Sequence, residues 1–140
     1  MLNVRIRKIR RVNKEFLLGG LVVLLDQVSK VVFVSEYINI GGVFGIGKDW
    51  AWMLFSLMAL VVLGWVLAKS ERVMERYGLV IILASGLSNL IDRVVLGGAR
   101  DFIFWPILNV YGNVSDLLLT IGVIVVCVEY LVLSKGSKVK

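Results

Sequence analysis

The fold is decided by a long apolar stretch near the end of the chain, residues 114–133, which reads VSDLLLTIGVIVVCVEYLVL. At about 1.5 Å per residue, a helix of this length crosses the roughly 30 Å of hydrocarbon in a bilayer. Asp116 lies in its first turn, shortly after Asn113, at a depth where a membrane helix rarely carries an unpaired carboxylate. The stretch therefore predicts a membrane-spanning helix and marks a candidate functional group at its start.

Three further stretches, residues 16–34, 51–68 and 78–97, are similarly long and apolar. The chain is 59% apolar and 19% charged, with a mean hydropathy of +0.88, which is too hydrophobic for a soluble domain of 140 residues. We expect an all-α integral membrane protein with four transmembrane helices, forming a single membrane domain over residues 1–140.

The first stretch follows a basic tail, as a cleavable secretory signal does. It is longer than the apolar region of such a signal, it contains Asp26 and Lys30, and no small-residue cleavage site follows it. We therefore interpret it as a retained helix.

Basic residues are concentrated on one side of the predicted membrane. Most of the 16 lysines and arginines precede residue 16, lie between the second and third spans, or follow the fourth span. Because short positive loops remain in the cytoplasm, both termini are predicted to be cytoplasmic, and loops 35–50 and 98–113 to face outward. Topology and anionic lipid headgroups explain the net charge of +6, so no nucleic-acid partner is expected.

Polar residues of the predicted spans converge on one layer just beneath the outer surface. In the first span, Asp26 and Lys30 are one turn apart and share a helix face. A buried ion pair that fixes helix packing, or a helix-end pair that reaches the headgroups, would explain each set of residues separately. Their coincidence at one depth favours a functional site. The converging residues are Asp26, Lys30, Asn89, Asp92, Arg93, Asn113 and Asp116.

Two of these acids have a candidate cation nearby in the sequence. Asp26 is expected to pair with Lys30, and Asp92 with the adjacent Arg93. A neighbouring cation favours the ionised form of a carboxyl group. Both acids are therefore expected to be structural.

Asp101 and Asp116 are the acids best suited to chemistry. Asp116 has no cation within a helical turn. Asp101 follows Arg100, but neighbouring side chains in an extended segment point to opposite faces, so their adjacency does not imply an ion pair. Two carboxyl groups held close together in a low-dielectric pocket share a proton. One could then activate water while the other protonates the carbonyl oxygen or the leaving amine.

The inventory of side chains excludes the common alternatives for hydrolysis. The chain contains no histidine, so a Ser-His-Asp or Cys-His arrangement and an H-E-x-x-H zinc helix are impossible. A dyad of Ser29 and Lys30 is conceivable, although adjacent helical residues diverge by about 100°. Cys127 lies within a predicted span and is interpreted as a small apolar side chain.

The two outer loops contain β-branched and aromatic residues that suit short extended segments at the membrane surface. The first reads SEYINIGGVFGIGKDW and the second GARDFIFWPILNVYGN. The glycines after Asn39 would allow close approach of a bound chain, so pairing with an extended peptide is one interpretation. The other is that the glycines form turns and the aromatic residues form an interfacial belt.

Five strings in the chain resemble, in the same order, the signature blocks of the lipoprotein signal peptidase family, also called signal peptidase II. They are LDQVSK at 25–30, NIGGVF at 39–44, SNLIDR at 88–93, RDF at 100–102 and GNVSD at 112–116. The resemblance implies an aspartic intramembrane peptidase of the bacterial cytoplasmic membrane. Such enzymes remove the signal peptide from prolipoproteins, cutting just before a cysteine that carries diacylglycerol.

The resemblance also implies roles for individual residues. Asp101 and Asp116 match the catalytic pair, and Asp92 is interpreted as structural. No metal or cofactor is implied. The expected partners are lipid-modified prolipoproteins and membrane lipids, and a monomer is expected. The positions implied to bind substrate or support the pair are Asp26, Lys30, Asn39, Asn89, Arg93 and Asn113.

The last block departs from the family pattern at two positions. Gly112 stands where the family usually has phenylalanine, and Ser115 where it usually has alanine. The second outer loop is also short, which limits the structure that can cover a substrate. These differences are expected to affect specificity before activity.

Two other functions are compatible with four helices and acids in the membrane. A proton-coupled transporter would place its key carboxylate near the midplane and would show internal repeats, whereas the acids here cluster outward and no repeat is visible. A non-catalytic scaffold would use the polar residues only for helix packing. Cleavage of a synthetic lipidated prolipoprotein would distinguish a peptidase from both.

Overall fold

The computed structural model describes residues 2–33, 38–40 and 49–136, without the side chains of residues 2–8, 49 and 133–136. Its four helices are α1 (Leu2–Val32), α2 (Asp49–Lys69), α3 (Val73–Leu96) and α4 (Val114–Gly136). Its four short strands are β1 (Ile38–Asn39), β2 (Ala99–Arg100), β3 (Ile103–Trp105) and β4 (Val110–Gly112). The predicted combination of helices with a small β-rich region is confirmed.

The helices extend beyond the predicted spans where polar residues continue the helical pattern. α1 begins at Leu2 rather than at residue 16, because its basic tail contains no proline or glycine and is rich in good helix formers. α3 begins at Val73 rather than at residue 78. It ends where Gly97 adopts a left-handed conformation (φ 76°) and donates its N–H to the carbonyl oxygen of Arg93, as a helix C-cap glycine does.

Among the residues that the structure describes, three helices are long and apolar enough to cross a membrane, over Trp50–Lys69, Val73–Leu96 and Val114–Val132. The remaining predicted span, residues 16–34, lies in α1 as far as Val32, and residue 34 is outside the described residues. Its apolar part begins at Phe16 and carries the charges of Asp26 and Lys30 before the helix ends at Val32. The fourth span, and the orientation of the termini, therefore stay predictions.

α3 lies at the centre of the bundle and packs against the other three helices. α1 runs parallel to α3, because Glu15 binds Arg76 at one end and Lys30 binds Asn89 at the other. α4 runs antiparallel to α3 and packs closely against it through Gly78 and Gly122. A Cβ atom on Gly78 would lie 2.9 Å from the carbonyl oxygen of Gly122, so a larger residue there would hold the two backbones apart.

Apolar side chains lie on the surface of the bundle and polar side chains lie in its interior, as in proteins surrounded by lipid. Large apolar residues such as Phe16, Val62, Val95 and Leu131 are exposed on all four helices. The fully buried side chains are polar instead, and they include Asp26, Asp92 and Asn113. Polar groups that avoid hydrocarbon and meet inside the bundle are expected of membrane helices.

The strands form two antiparallel pairs beside the end of the bundle where α1 and α3 finish and α4 begins. β1 pairs with β2, so that Asn39 lies opposite Ala99. Gly98 permits this pairing, because a Cβ atom there would lie 2.8 Å from the carbonyl oxygen of Asn39. β3 and β4 form a hairpin in which Trp105 lies opposite Val110.

Candidate active site

Asn113 joins the two acids that the sequence singles out. Its side-chain nitrogen donates to Asp101 Oδ1 at 2.7 Å, and its backbone N–H donates to Asp116 Oδ2 at 3.0 Å. Its side-chain oxygen in turn accepts the backbone N–H of Asp116 at 3.2 Å. Asn113 and Asp116 thus form a reciprocal capping pair at the start of α4. The asparagine that caps the start of α4 therefore contacts both Asp116 and Asp101.

Two further asparagines bind the remaining carboxylate oxygens. Asn39 donates to Asp101 Oδ2 at 2.9 Å, and Asn89 donates to Asp116 Oδ1 at 3.1 Å. The side-chain oxygen of Asn89 accepts from Asn113 at 2.9 Å and from Lys30 at 2.8 Å. Each of the four carboxylate oxygens therefore accepts a hydrogen bond, and the donors come from β1, α3 and the residue before α4.

Burial governs the protonation of Asp101. Its side chain is buried beside β2, and this burial raises the pKa of Asp101 to about 6, with a further upward contribution from the charge of Asp116. The hydrogen bonds from Asn39 and Asn113 oppose the rise, because they stabilise the ionised form. Asp101 can therefore hold or release a proton near neutral pH.

A second layer of charges supports the asparagines from within the bundle. Lys30 Nζ lies 2.6 Å from Asp26 Oδ2 and 3.2 Å from Asp92 Oδ2, with all three side chains buried. Arg100 Nη2 lies 2.7 Å from Asp92 Oδ1. Two carboxylates thus face two cations, which offsets much of the cost of burying each charge. Asp26 Oδ1 also accepts the backbone N–H of Ser115 at 2.7 Å, which ties α1 to the start of α4.

The predicted pairing of Asp92 with Arg93 is wrong. Asp92 binds Lys30 and Arg100, whereas the Arg93 side chain has no hydrogen-bond or ion-pair partner within the described part of the chain. Consecutive helical residues point about 100° apart, so Arg93 leaves the face on which Asp92 is buried. The structure therefore does not bring Arg93 to the other predicted site residues.

The expectation that Arg100 and Asp101 point apart is confirmed. The Arg100 side chain turns to Asp92, and Asp101 turns to the asparagines. Ser29 and Lys30 do not form a dyad. The Ser29 hydroxyl donates to the carbonyl oxygen of Asp26 at 2.7 Å, and Lys30 is directed at Asp26 and Asn89.

Sequence reasoning missed three polar residues of the network, Gln27, Ser88 and Arg100. Gln27 donates to Ser88 Oγ at 2.9 Å and to Asp92 Oδ1 at 3.1 Å, and it accepts from Arg100 at 2.8 Å. Ser88 donates to Asp26 at 2.7 Å. All three lie within the strings LDQVSK, SNLIDR and RDF, so the motifs carried a signal for them.

The two unusual residues of the last block both lie beside the acids. A Cβ atom on Gly112 would lie 3.0 Å from Asp116 Oδ2. The Ser115 hydroxyl is buried without a hydrogen-bond partner among the residues described. The glycines after Asn39, Gly41 and Gly42, lie outside the described residues, so the interpretation of that loop stays a prediction.

The chain is similar to known proteins over most of its length. Residues 18–132 match the family model described as signal peptidase (SPase) II. The lipoprotein signal peptidase of Clostridioides difficile is 28% identical over 140 residues, covering 84% of this chain and 95% of its own. That of Caldanaerobacter subterraneus subsp. tengcongensis is 36% identical over 116 residues, covering 79% of this chain and 77% of its own.

A solved structure of a bacterial membrane enzyme has the same fold. It superposes with a TM-score of 0.79 at 27% identity, covering 92% of this chain and 94% of its own. The matched residues 18–132 contain all the carboxylates and asparagines of the site. The chain belongs to the signal peptidase II family of membrane proteases.

Proposed function

We propose that this chain is an intramembrane aspartic endopeptidase. Its substrates are prolipoproteins carrying a diacylglyceryl-modified cysteine, and it cuts the peptide bond just before that cysteine. The observation that carries the proposal is that Asn113 binds Asp101 and Asp116 at the same time. The relatives named lipoprotein signal peptidase support the substrate class.

Asp116 is the base and Asp101 the acid in the proposed reaction. Asp116 takes a proton from water, whose oxygen attacks the carbonyl carbon of the scissile bond. Asp101, whose pKa is raised to about 6 by burial, donates its proton to the departing amine as the C–N bond breaks. Lys30 and the three asparagines hold the pair in place.

The proposed setting is the bacterial cytoplasmic membrane, with the site at its outer side. The fourth span is the apolar part of α1, which begins at Phe16 and ends with the helix at Val32. The length of this part is within the range of membrane helices. Both termini then lie in the cytoplasm, and the enzyme acts as a monomer. The exposed apolar side chains of the four helices face lipid.

Purified Asp101→Asn and Asp116→Asn variants, given a synthetic lipidated prolipoprotein, test the proposal. Each variant should lose cleavage by at least about 1,000-fold, because an amide can neither accept the proton of water nor donate one to the amine. Glu71→Gln, which changes an exposed acid at the far end of the bundle, should keep full activity. Full activity in either aspartate variant would eliminate that residue as catalytic.

A further inference from the structure

The β3–β4 hairpin presents two faces with different surroundings. Its register pairs Ile103 with Gly112 and Trp105 with Val110, and side chains of alternate residues share a face. Trp105 and Gly112 therefore lie on one face as diagonal neighbours. Phe104 and Tyr111 occupy the other face, where their ring centroids are 5.1 Å apart.

The absence of a side chain at Gly112 brings the indole of Trp105 close to Asp116. A Cβ atom at Gly112 would lie 3.0 Å from Trp105 Nε1 and 3.0 Å from Asp116 Oδ2. Trp105 Nε1 and Asp116 Oδ2 lie the same distance from this Cβ position, so the two atoms are at most about 6 Å apart. An oxygen atom at ordinary hydrogen-bonding distance, about 2.8 to 3.0 Å from each, spans that separation.

The indole N–H is available for such a contact. Within residues 2–33, 38–40 and 49–136, no group accepts a hydrogen bond from Trp105. Trp105 is an exposed residue, with 36% of its surface accessible. An indole N–H can only donate, whereas an ionised carboxylate can only accept. The group that fits between them must accept from one and donate to the other, as water does.

We propose that in this chain Trp105 positions the attacking water against Asp116, and that Gly112, which stands where the family usually has phenylalanine, keeps the space for this water open. The inference rests on the proposed function. The water accepts the indole N–H with one lone pair and donates a proton to Asp116. Its second lone pair remains for attack on the scissile carbonyl carbon. A peptide carbonyl oxygen fits this position less well, because it offers no proton to an ionised Asp116.

The role predicts a specific change in kinetics. Replacing Trp105 by 3-benzothienylalanine keeps the ring shape and substitutes sulfur for N–H. We expect kcat for a lipidated prolipoprotein to fall by about 10- to 100-fold with KM unchanged, because the lost contact acts on water and not on bound substrate. Trp105→Phe should show the same separation of kcat from KM.

Gly112→Ala provides an independent variant, because its methyl carbon would lie 3.0 Å from each of the two atoms. Its kcat should fall at least as far as that of the Trp105 variants. Phe104→Leu, on the opposite face of the same hairpin, is the matched control and should stay within about twofold of wild type. Thermal unfolding in detergent verifies that all variants are folded.

Two results would overturn the inference while leaving the proposed function intact. One is wild-type kcat in the benzothienylalanine enzyme. The other is a raised KM with unchanged kcat, which would assign Trp105 to substrate binding instead. Failure of the wild-type chain to cleave the substrate would overturn the proposed function and this inference with it.

Discussion

In the proposed mechanism, the protonation of Asp101 makes the activity dependent on pH. Burial raises the pKa of Asp101 to about 6, so the group holds its proton below that pH and loses it above. If Asp101 donates a proton to the leaving amine, kcat/KM should fall as the pH rises through about 6. A pH–rate profile with a lipidated substrate measures this falling limb.

Asn39 influences the pH at which kcat/KM falls. Its hydrogen bond to Asp101 Oδ2 stabilises the ionised carboxylate and lowers the pKa. Asn39→Leu should therefore move the falling limb to higher pH, because Asp101 would keep its proton longer. Asn13→Ala, at an exposed position of α1, should leave the profile unchanged. A shift to lower pH in Asn39→Leu would contradict this account of Asp101.

Lys30 is the cation on which the buried acids of α1 and α3 depend. It contacts Asp26, Asn89 and Asp92, and its side chain is inaccessible. Lys30→Met should lower the free energy of unfolding by about 3 to 5 kcal/mol, because Asp26 would remain buried without a cation.

A double variant separates charge burial from simple loss of packing. Lys30→Met combined with Asp26→Asn removes the isolated charge and should recover part of the lost stability. Lys69→Met, at an exposed lysine of α2, should have little effect. These values are measurable by denaturant titration in detergent. A double variant less stable than Lys30→Met alone would contradict the ion-pair interpretation.

At the scale of elements, the contact between α3 and α4 depends on two glycines. A Cβ atom on Gly78 would lie 2.7 Å from Val126 Cγ2 and 2.9 Å from the carbonyl oxygen of Gly122. Because the backbone carbonyl of Gly122 cannot rotate away from the added methyl group, Gly78→Ala should push the helices apart. We expect it to destabilise the protein by about 1 to 3 kcal/mol. Gly20→Ala in α1 meets nothing within 4 Å and should be neutral or slightly stabilising. Equal stability of the two variants would contradict the close α3–α4 packing.

The elements were more predictable from the sequence than the contacts between them. Apolar length alone located α2 and α4 to within a few residues, because the thickness of a bilayer sets that length. The first turns of α3 and the basic half of α1 were missed, because helix propensity continues where hydropathy stops.

Long-range partners could not be derived without the tertiary register. Local spacing predicted the contact of Asp26 with Lys30, which lie on one helix face. The same local reasoning wrongly predicted an ion pair of Asp92 with Arg93. Asp92 instead binds Arg100, which lies beyond the end of α3. The approach of Trp105 to Asp116 depends on hairpin register and on a missing side chain at Gly112. Neither the hairpin register nor the effect of the missing side chain can be recognised from the charges or the spacing of residues in the sequence.

At the scale of the whole molecule, the two ends of the bundle differ in chemistry. One end holds the asparagines and carboxylates beside the strands. The other holds the ion pair of Arg76 with Glu15, at 2.7 Å, and the hydrogen bond of Tyr130 to Glu75, at 2.9 Å. The basic tail also reaches this second end, where Arg11 donates to the carbonyl oxygen of Glu71. The distribution of positive charge predicts that the second end faces the cytoplasm.

Cysteine labelling in intact cells tests that orientation. In a Cys127→Ala background, a cysteine replacing Asn109 in the exposed β3–β4 turn should react with a membrane-impermeant maleimide. A cysteine replacing the exposed Glu71 should react only after the cells are permeabilised, because short basic loops stay inside. The reverse pattern would place the carboxylates on the cytoplasmic side. Substrates whose lipid-modified cysteine emerges at the outer surface could then not reach Asp101 and Asp116, so this labelling result bears directly on the proposed peptidase function.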